Sequence, residues 1–435
     1  MPSTLELVGR GPITIESAIG EEKNVINWLS YGPATDRFYQ ELWAQKDSIE
    51  ALVKHHLALD RGDLCRVLPS HCWIRGSFNV CVFVEVKSGN SARKVIFRCP
   101  MPYKLAEARY PGSIDEKLSS EVGAHIWIEE NCPEIRSPHL FGFGMMDGRH
   151  ARIGSFQLND NGTVTLTNRP LTCSMMILEN DGATRTMPTN HTINCTDAFV
   201  SDMLTFHDHR FLSQPNAVND ESDCRTQMAV KTLLRVVAHN YIKRELRNGP
   251  FLLQHTDLHA SNILVDKDWN VTGLIDLEWI CALPAEKLAV PYWLTGCAID
   301  DIEGEKLDKF DLVRQEFMHI FKEEEQVTKM KAKASHKISL SKIMHDMWDS
   351  KGVWFWYCLS SVNAMYFLLE PHLLPPKSLS LEAERVMSRF WSRESEDIVR
   401  KKLADKKAYD VTRESRDPSS GVICIYKGCL GLGPL

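Results

Sequence analysis

β-branched and aromatic residues crowd two stretches of the chain, Phe78-Asn-Val-Cys-Val-Phe-Val-Glu-Val86 and Lys94-Val-Ile-Phe-Arg98, separated by the turn-forming run Lys87-Ser-Gly-Asn-Ser. That pattern predicts a β-hairpin. Alternation along its second strand puts Lys94, Ile96 and Arg98 on one face. Behind it, Ser113-Ile-Asp-Glu116 has the form of a capping box, and Leu118, Val122 and Ile126 recur at helical spacing. A second hairpin is expected over Ser155-Phe-Gln-Leu-Asn-Asp and Thr163-Val-Thr-Leu-Thr, turning at Asn161-Gly162. Cys173-Ser-Met-Met-Ile-Leu178 follows as a buried strand. Two more apolar strands, Phe251-Leu-Leu-Gln-His255 and Gly273-Leu-Ile-Asp276, flank a polar loop and a short turn through Asp266-Lys-Asp-Trp-Asn270. Residues before about Arg61 read as helices, with Ile26, Trp28, Leu29, Leu42, Trp43, Ile49, Leu52 and Val53 as their apolar positions. Gly352 to Leu369 is an uncharged, aromatic-rich run. Ser360, Ser361 and Asn363 interrupt it and it barely reaches spanning length, which favours a buried helix over a membrane span.

The polar loop is where chemistry concentrates. It reads His255-Thr-Asp257-Leu-His-Ala-Ser-Asn262, with Asp276 closing the following strand. Phosphoryl transfer needs one carboxylate to orient the attacking hydroxyl and accept its proton, and separate oxygen ligands to hold Mg²⁺ against the nucleotide phosphates. Asp257 fits the first role; Asn262 and Asp276 fit the second. Alone, each is an ordinary turn former, and His255 would do no more than satisfy a backbone group. Their joint order is informative, because the spacing from Asp257 to Asn262 equals that of a protein-kinase catalytic loop.

Through His255-Thr-Asp257-Leu-His-Ala-Ser-Asn262-Ile, Leu274-Ile-Asp276-Leu-Glu278-Trp and Pro291-Tyr-Trp-Leu-Thr-Gly296, the chain resembles the aminoglycoside phosphotransferase and choline-kinase branch of the protein-kinase-like fold, most closely its large fungal subgroup. The resemblance covers about Arg61 to Phe321. It implies Asp257 as catalytic base and Asn262 and Asp276 as metal ligands, with Glu278 supporting them rather than binding metal. It further implies a phosphate-covering loop at Ile74-Arg-Gly-Ser-Phe-Asn79, in which Ser77 is the candidate contact, although a single glycine there also suits a plain turn. The family's phosphate-contacting lysine aligns with Arg98, a departure, since the planar guanidinium is not interchangeable with an ammonium. Its partner is expected to be Glu121, the alternative being a solvated glutamate making an i,i+4 pair with Lys117. The strand at Cys173–Leu178 should lead into the hinge between lobes, where the backbone of Ile177, Glu179 and Asn180 would meet adenine.

The 435 residues, 43% hydrophobic and 25% charged, suffice for two lobes and a large core. A net charge of −6 gives no reason to expect nucleic-acid binding. The basic run Lys329 to Lys337 reads as surface. The thirteen cysteines lack zinc-site spacing and suit a reducing compartment, and the N-terminus has neither signal-peptide nor transit-peptide character, so the expected location is cytoplasmic.

The expected fold is therefore α+β and bilobal, protein-kinase-like: an antiparallel-sheet nucleotide-binding N-lobe at 61–180 and a helical C-lobe with the catalytic hairpin at 181–412. A helical extension occupies 1–60 and a poorly ordered tail 413–435. The expected activity is ATP- and Mg²⁺-dependent phosphorylation of a small-molecule hydroxyl, with no membrane partner. A pseudokinase-like nucleotide-binding or regulatory module is the alternative. A protein kinase is disfavoured because no Ala-Pro-Glu segment or recognisable activation loop follows Asp276.

Overall fold

The computed structural model describes residues 4–415 except 8–9, 15–16, 19–20, 22–23, 61, 90, 142–152, 159–163, 332–338 and 376–378. It opens with a small hairpin, β1 (Thr4–Leu7) and β2 (Arg10–Thr14), where only helices were expected. Helices α1 (Val25–Ala44) and α2 (Lys46–His56) follow. They pack on an antiparallel sheet of β3 (Leu64–Val67), β4 (Ile74–Arg75), β5 (Asn79–Ser88) and β6 (Ser91–Pro100). The β5–β6 hairpin is in unbroken register from Asn79↔Pro100 to Ser88↔Ser91. Its alternation sends Val80, Val82, Val84 and Val86 into a core shared with Leu42, Ile49 and Val53. Each fully buried valine contributes about 1.5–3 kcal/mol, and that burial fixes which face of the hairpin is left for Arg98.

Helix α3 (Ser113–Asn131) starts differently from the capping-box expectation. Glu107 accepts from the backbone N–H groups of Gly112 and Ile114, at 2.7 and 2.8 Å. Glu116 is drawn away into a buried ion pair with Arg169. The Glu107 carboxylate, upstream of the helix, thus satisfies helix-start donors that Glu116 does not serve.

Strands β7 (Gly154–Leu158) and β8 (Val164–Asn168) form the second hairpin; its expected Asn161-Gly162 turn lies outside the described residues. The hairpin does not extend the first sheet. It joins β9 (Phe251–His255) and β12 (Ile280–Pro284) in the order β8-β7-β12-β9. Between β8 and β9 lie α4 (Cys173–Asn180), α5 (Thr196–Ser213) and α6 (Glu221–Val237). Strands β10 (Ile263–Val265) and β11 (Val271–Leu274) pair as a hairpin, and Asp266 closes its turn by accepting from the N–H groups of Asp268 and Asn270.

The remaining helices are α7 (Gly304–Lys331), α8 (Leu340–Asp349), α9 (Gly352–Ser360), α10 (Met365–Leu368), α11 (Leu381–Trp391) and α12 (Ser395–Glu414). The uncharged run from Gly352 is largely buried and is broken at Ser361–Asn363, and no described helix is long and apolar enough to cross a membrane. The basic run lies partly, and the segment beyond Ser415 wholly, outside the described residues.

Candidate active site

The catalytic-type loop is braced by its own polar groups. His255 is mostly buried, and burial pushes its imidazole down, so the ring is neutral near pH 7. Its Nδ1 accepts from the Asp257 N–H at 3.3 Å, and Nε2 faces the Ile275 carbonyl at 3.5 Å. The buried Asn262 donates through Nδ2 to the Asp257 carbonyl at 2.8 Å, while its own carbonyl accepts from the Ile275 N–H. These bonds tie the loop to the strand that ends at Asp276. Asp276 itself has φ 59° and ψ 48°, the left-handed region that aspartate tolerates better than most residues.

Around this loop the first lobe contributes cations. Arg98 pairs with Glu121 and reaches Asp276 at 2.6 Å and Glu278 at 3.0 Å. Lys117, wholly buried, pairs with Glu121 at 2.8 Å and Glu278 at 3.1 Å. Both alternatives for Glu121 are therefore realised in one network, and neither leaves it solvated. Lys94, on the same face as Arg98, stays exposed. Lys117 was not singled out in the sequence as a site residue; its i,i+4 relation to Glu121 was the only available signal. Asn79 was also missed, and it donates to Glu278 at 3.0 Å. The loop bearing Ser77 sits beside this centre, because the next residue, Phe78, packs edge-on against Trp279 with ring centroids 5.0 Å apart. Ser77 itself is exposed.

Burial raises the Asp257 carboxyl above the usual aspartate range, and the neighbouring Glu278 and Asp276 charges act in the same direction. His259 and a hydrogen bond from the Cys173 thiol oppose the rise. Burial pushes that thiol well above its ordinary value, so Cys173 remains a protonated donor. Asp276 is also raised by burial, against the pull of Arg98. Glu278 is nearly inaccessible, yet Lys117 and Arg98 hold its carboxyl low.

The hinge expectation needs correction. Cys173–Asn180 is the helix α4, not a strand, and Thr172 Oγ1 caps it by accepting from the Met175 N–H at 3.2 Å. The carbonyls of Ile177, Leu178 and Glu179 accept from the N–H groups of Asp181, Ala183 and Gly182. The Glu179 side chain is buried against Arg169 and Arg185. Asn180 accepts from the Ala106 N–H and donates to Tyr31. The main-chain carbonyls of Ile177 and Glu179, and the Asn180 side chain, are thus already engaged, which removes the extended edge an adenine ring would need there.

The model of the phosphotransferase enzyme family matches residues 202–285 of the chain. That segment carries Asp257, Asn262, Asp276 and Glu278, and over it the chain is similar to the aminoglycoside phosphotransferase and choline kinase-like proteins, whose fold is protein-kinase-like. The match reaches the family and not a subgroup within it, and Ser77, Arg98 and Glu121 lie outside the matched residues. No curated protein and no solved structure gives a match.

Proposed function

We propose that the protein transfers the γ-phosphoryl group of ATP to a hydroxyl of a small molecule. The observation that carries this reading is the convergence of Asp257, Asn262 and Asp276 with the Arg98–Glu121 pair. Asp257 orients the acceptor hydroxyl and takes its proton as the new O–P bond forms and the bond to the β-phosphate oxygen breaks, releasing ADP. Its desolvated surroundings strengthen its basicity while Cys173 keeps it in place. Arg98, held by Glu121, supplies positive charge to the phosphates, and Lys117 keeps the pair of glutamates compensated when Arg98 turns towards nucleotide.

The residues fit Mg²⁺. With Nδ2 of Asn262 occupied by the Asp257 carbonyl, its amide oxygen is the group left for a ligand, and Asp276 keeps one carboxylate oxygen beyond the one that binds Arg98. Among the described residues no cluster of three or more His, Cys, Asp or Glu forms a metal cage. Two protein oxygens supplemented by phosphate and water are the usual manner of Mg²⁺ in nucleotide sites. Bound there, the ion would neutralise charge on the phosphate oxygens.

The small-molecule reading is favoured over a protein kinase because Asp276 leads directly through a short 3₁₀ turn into β12. The test is a screen of hydroxylated metabolites for ADP release by the purified protein, with Mg²⁺·ATP binding followed by thermal shift. Millimolar Mg²⁺·ATP is expected to raise the melting temperature. A folded protein with no shift and no ADP release would leave a scaffold without nucleotide chemistry.

A further inference from the structure

Beside the proposed centre lies a cavity of about 40 Å³ lined by Thr172, Ser174, Phe199, Met203, Thr256, Lys287 and Ser360. Thr256 immediately precedes Asp257, and Thr172 and Ser174 flank Cys173, whose thiol bonds the Asp257 carboxylate. One group in the lining is out of balance. The Lys287 ammonium is mostly buried, and burial drives its pKa down; among the described residues the one group acting the other way is the Cys281 thiol, itself kept protonated by burial. Among the described residues it has no hydrogen-bond or ion-pair partner. The other buried lysines do have one: Lys117 has Glu121 and Glu278, Lys231 has Tyr366, and Lys402 has the Gln214 carbonyl.

Burying an ammonium without a counter-charge is costly, and such a group is a strong receptor for an anion that restores the balance. The lining supplies hydroxyls and no carboxylate. Thr172 and Ser174 share a hydrogen bond at 3.1 Å, and Thr256 donates to the Trp279 carbonyl. A space of about 40 Å³ exceeds the roughly 10–15 Å³ that a single water needs but stays small, so it suits a flat, compact anion and not a ring. We propose that this cavity holds a carboxylate of the phosphoryl acceptor, with Lys287 as its counter-ion, so that the substrate class is a hydroxy acid whose hydroxyl reaches Asp257. This rests on the assignment of Asp257 as the residue that receives the acceptor hydroxyl.

The test compares short ω-hydroxycarboxylates with diols of matching length and with glycerol 3-phosphate, as thermal-shift ligands of the full chain. Wild type, Lys287→Met and Lys287→Arg are used, and Mg²⁺·ATP is measured in parallel. Hydroxycarboxylates should raise the melting temperature of the wild type and diols should not. Lys287→Met should weaken the response roughly tenfold or more, and Lys287→Arg should retain part of it. If Lys287→Met does not fold, mass-spectrometric footprinting of the wild type with an amine-reactive reagent gives the same answer, since a bound carboxylate should protect Lys287. Equal responses to diols, an unchanged Lys287→Met protein, or no protection would overturn the subsite. A response to glycerol 3-phosphate alone would replace the carboxylate by a phosphate and overturn the hydroxy-acid class. Carboxylate binding without Mg²⁺·ATP binding would instead sink the phosphotransferase reading and leave the subsite standing.

Discussion

Arg98 binds Asp276 at 2.6 Å, across a sequence separation of 178 residues, and the same guanidinium pairs with Glu121. A single cation thus links the first-lobe sheet, helix α3 and the end of the catalytic hairpin. On the proposed function, that geometry would let arginine stand where the family's lysine aligns. The two terminal nitrogens of the fork address different carboxylates, which one ammonium at that position does less well, and the buried Lys117 supplies a second positive charge.

Arg98→Ala is therefore expected to abolish most Mg²⁺·ATP turnover, because Lys117 stays held by Glu121 and Glu278 and the phosphates are left uncompensated. Lys94→Ala, at an exposed position, should change activity little and stability by less than about 0.5 kcal/mol. Steady-state ATP kinetics on the two variants decide the matter, and the opposite order would assign the phosphate contact to Lys94. Arg98→Lys should retain partial activity, since charge survives and the fork does not.

For Asp257→Asn, nucleotide affinity should stay close to wild type while turnover falls by roughly 10²- to 10⁴-fold, the usual cost of a lost general base. Asp276→Asn should weaken metal-dependent ATP binding as well, and it also removes a partner of Arg98. Isothermal titration with Mg²⁺·ATP, set beside single-turnover rates, separates the two effects. Unchanged turnover in Asp257→Asn would refute the assignment of this loop.

The correction at α4 yields its own prediction. Glu179 and Glu116 sandwich the wholly buried Arg169, so Glu179→Gln leaves a guanidinium short of charge. Removing one partner of a buried pair costs about 3–5 kcal/mol. Denaturant unfolding should register that loss, while Mg²⁺·ATP affinity of the folded fraction remains. Lost affinity at undiminished stability would return Glu179 to the nucleotide site.

What was readable in the sequence, and what was not, divides along physical lines. The β5–β6 hairpin was legible because one face is buried and the other is not, so alternation survives in the residue types. The polar loop and its following hairpin were legible because turn residues have local causes. The run Cys173–Leu178 was misread because six apolar-rich residues buried on most sides carry no decisive period; Thr172, a favoured N-cap, was the local sign of a helix. Lys117 was passed over because a fully buried lysine depends on carboxylates from elsewhere in the chain, one of them Glu278. The pairing of β7 with β12 is likewise a long-range choice that local pattern does not encode.

The acid limb of stability offers a last test, independent of any substrate. His207 is fully buried in the C-lobe core, Nε2 facing the Leu359 carbonyl at 2.9 Å, and burial pushes its pKa down to about 3. His125, His255 and His372 are shifted in the same direction, each chiefly by burial. In the unfolded chain these imidazoles take up protons near the ordinary value of about 6.5, whereas the native state excludes them. Below that pH the unfolded state binds more protons, so stability must fall as pH drops, by up to about 1.4 kcal/mol per pH unit for each imidazole kept neutral. For His207 the loss runs from about pH 6.5 down towards its folded value. Unfolding midpoints measured from pH 7.5 to 5 in one buffer system of constant ionic strength should therefore decline steadily. His207→Gln, less stable than wild type at pH 7.5, should show a shallower decline. An equal slope in the variant would mean that His207 is protonated in the native protein, and that its bond to Leu359 compensates the charge.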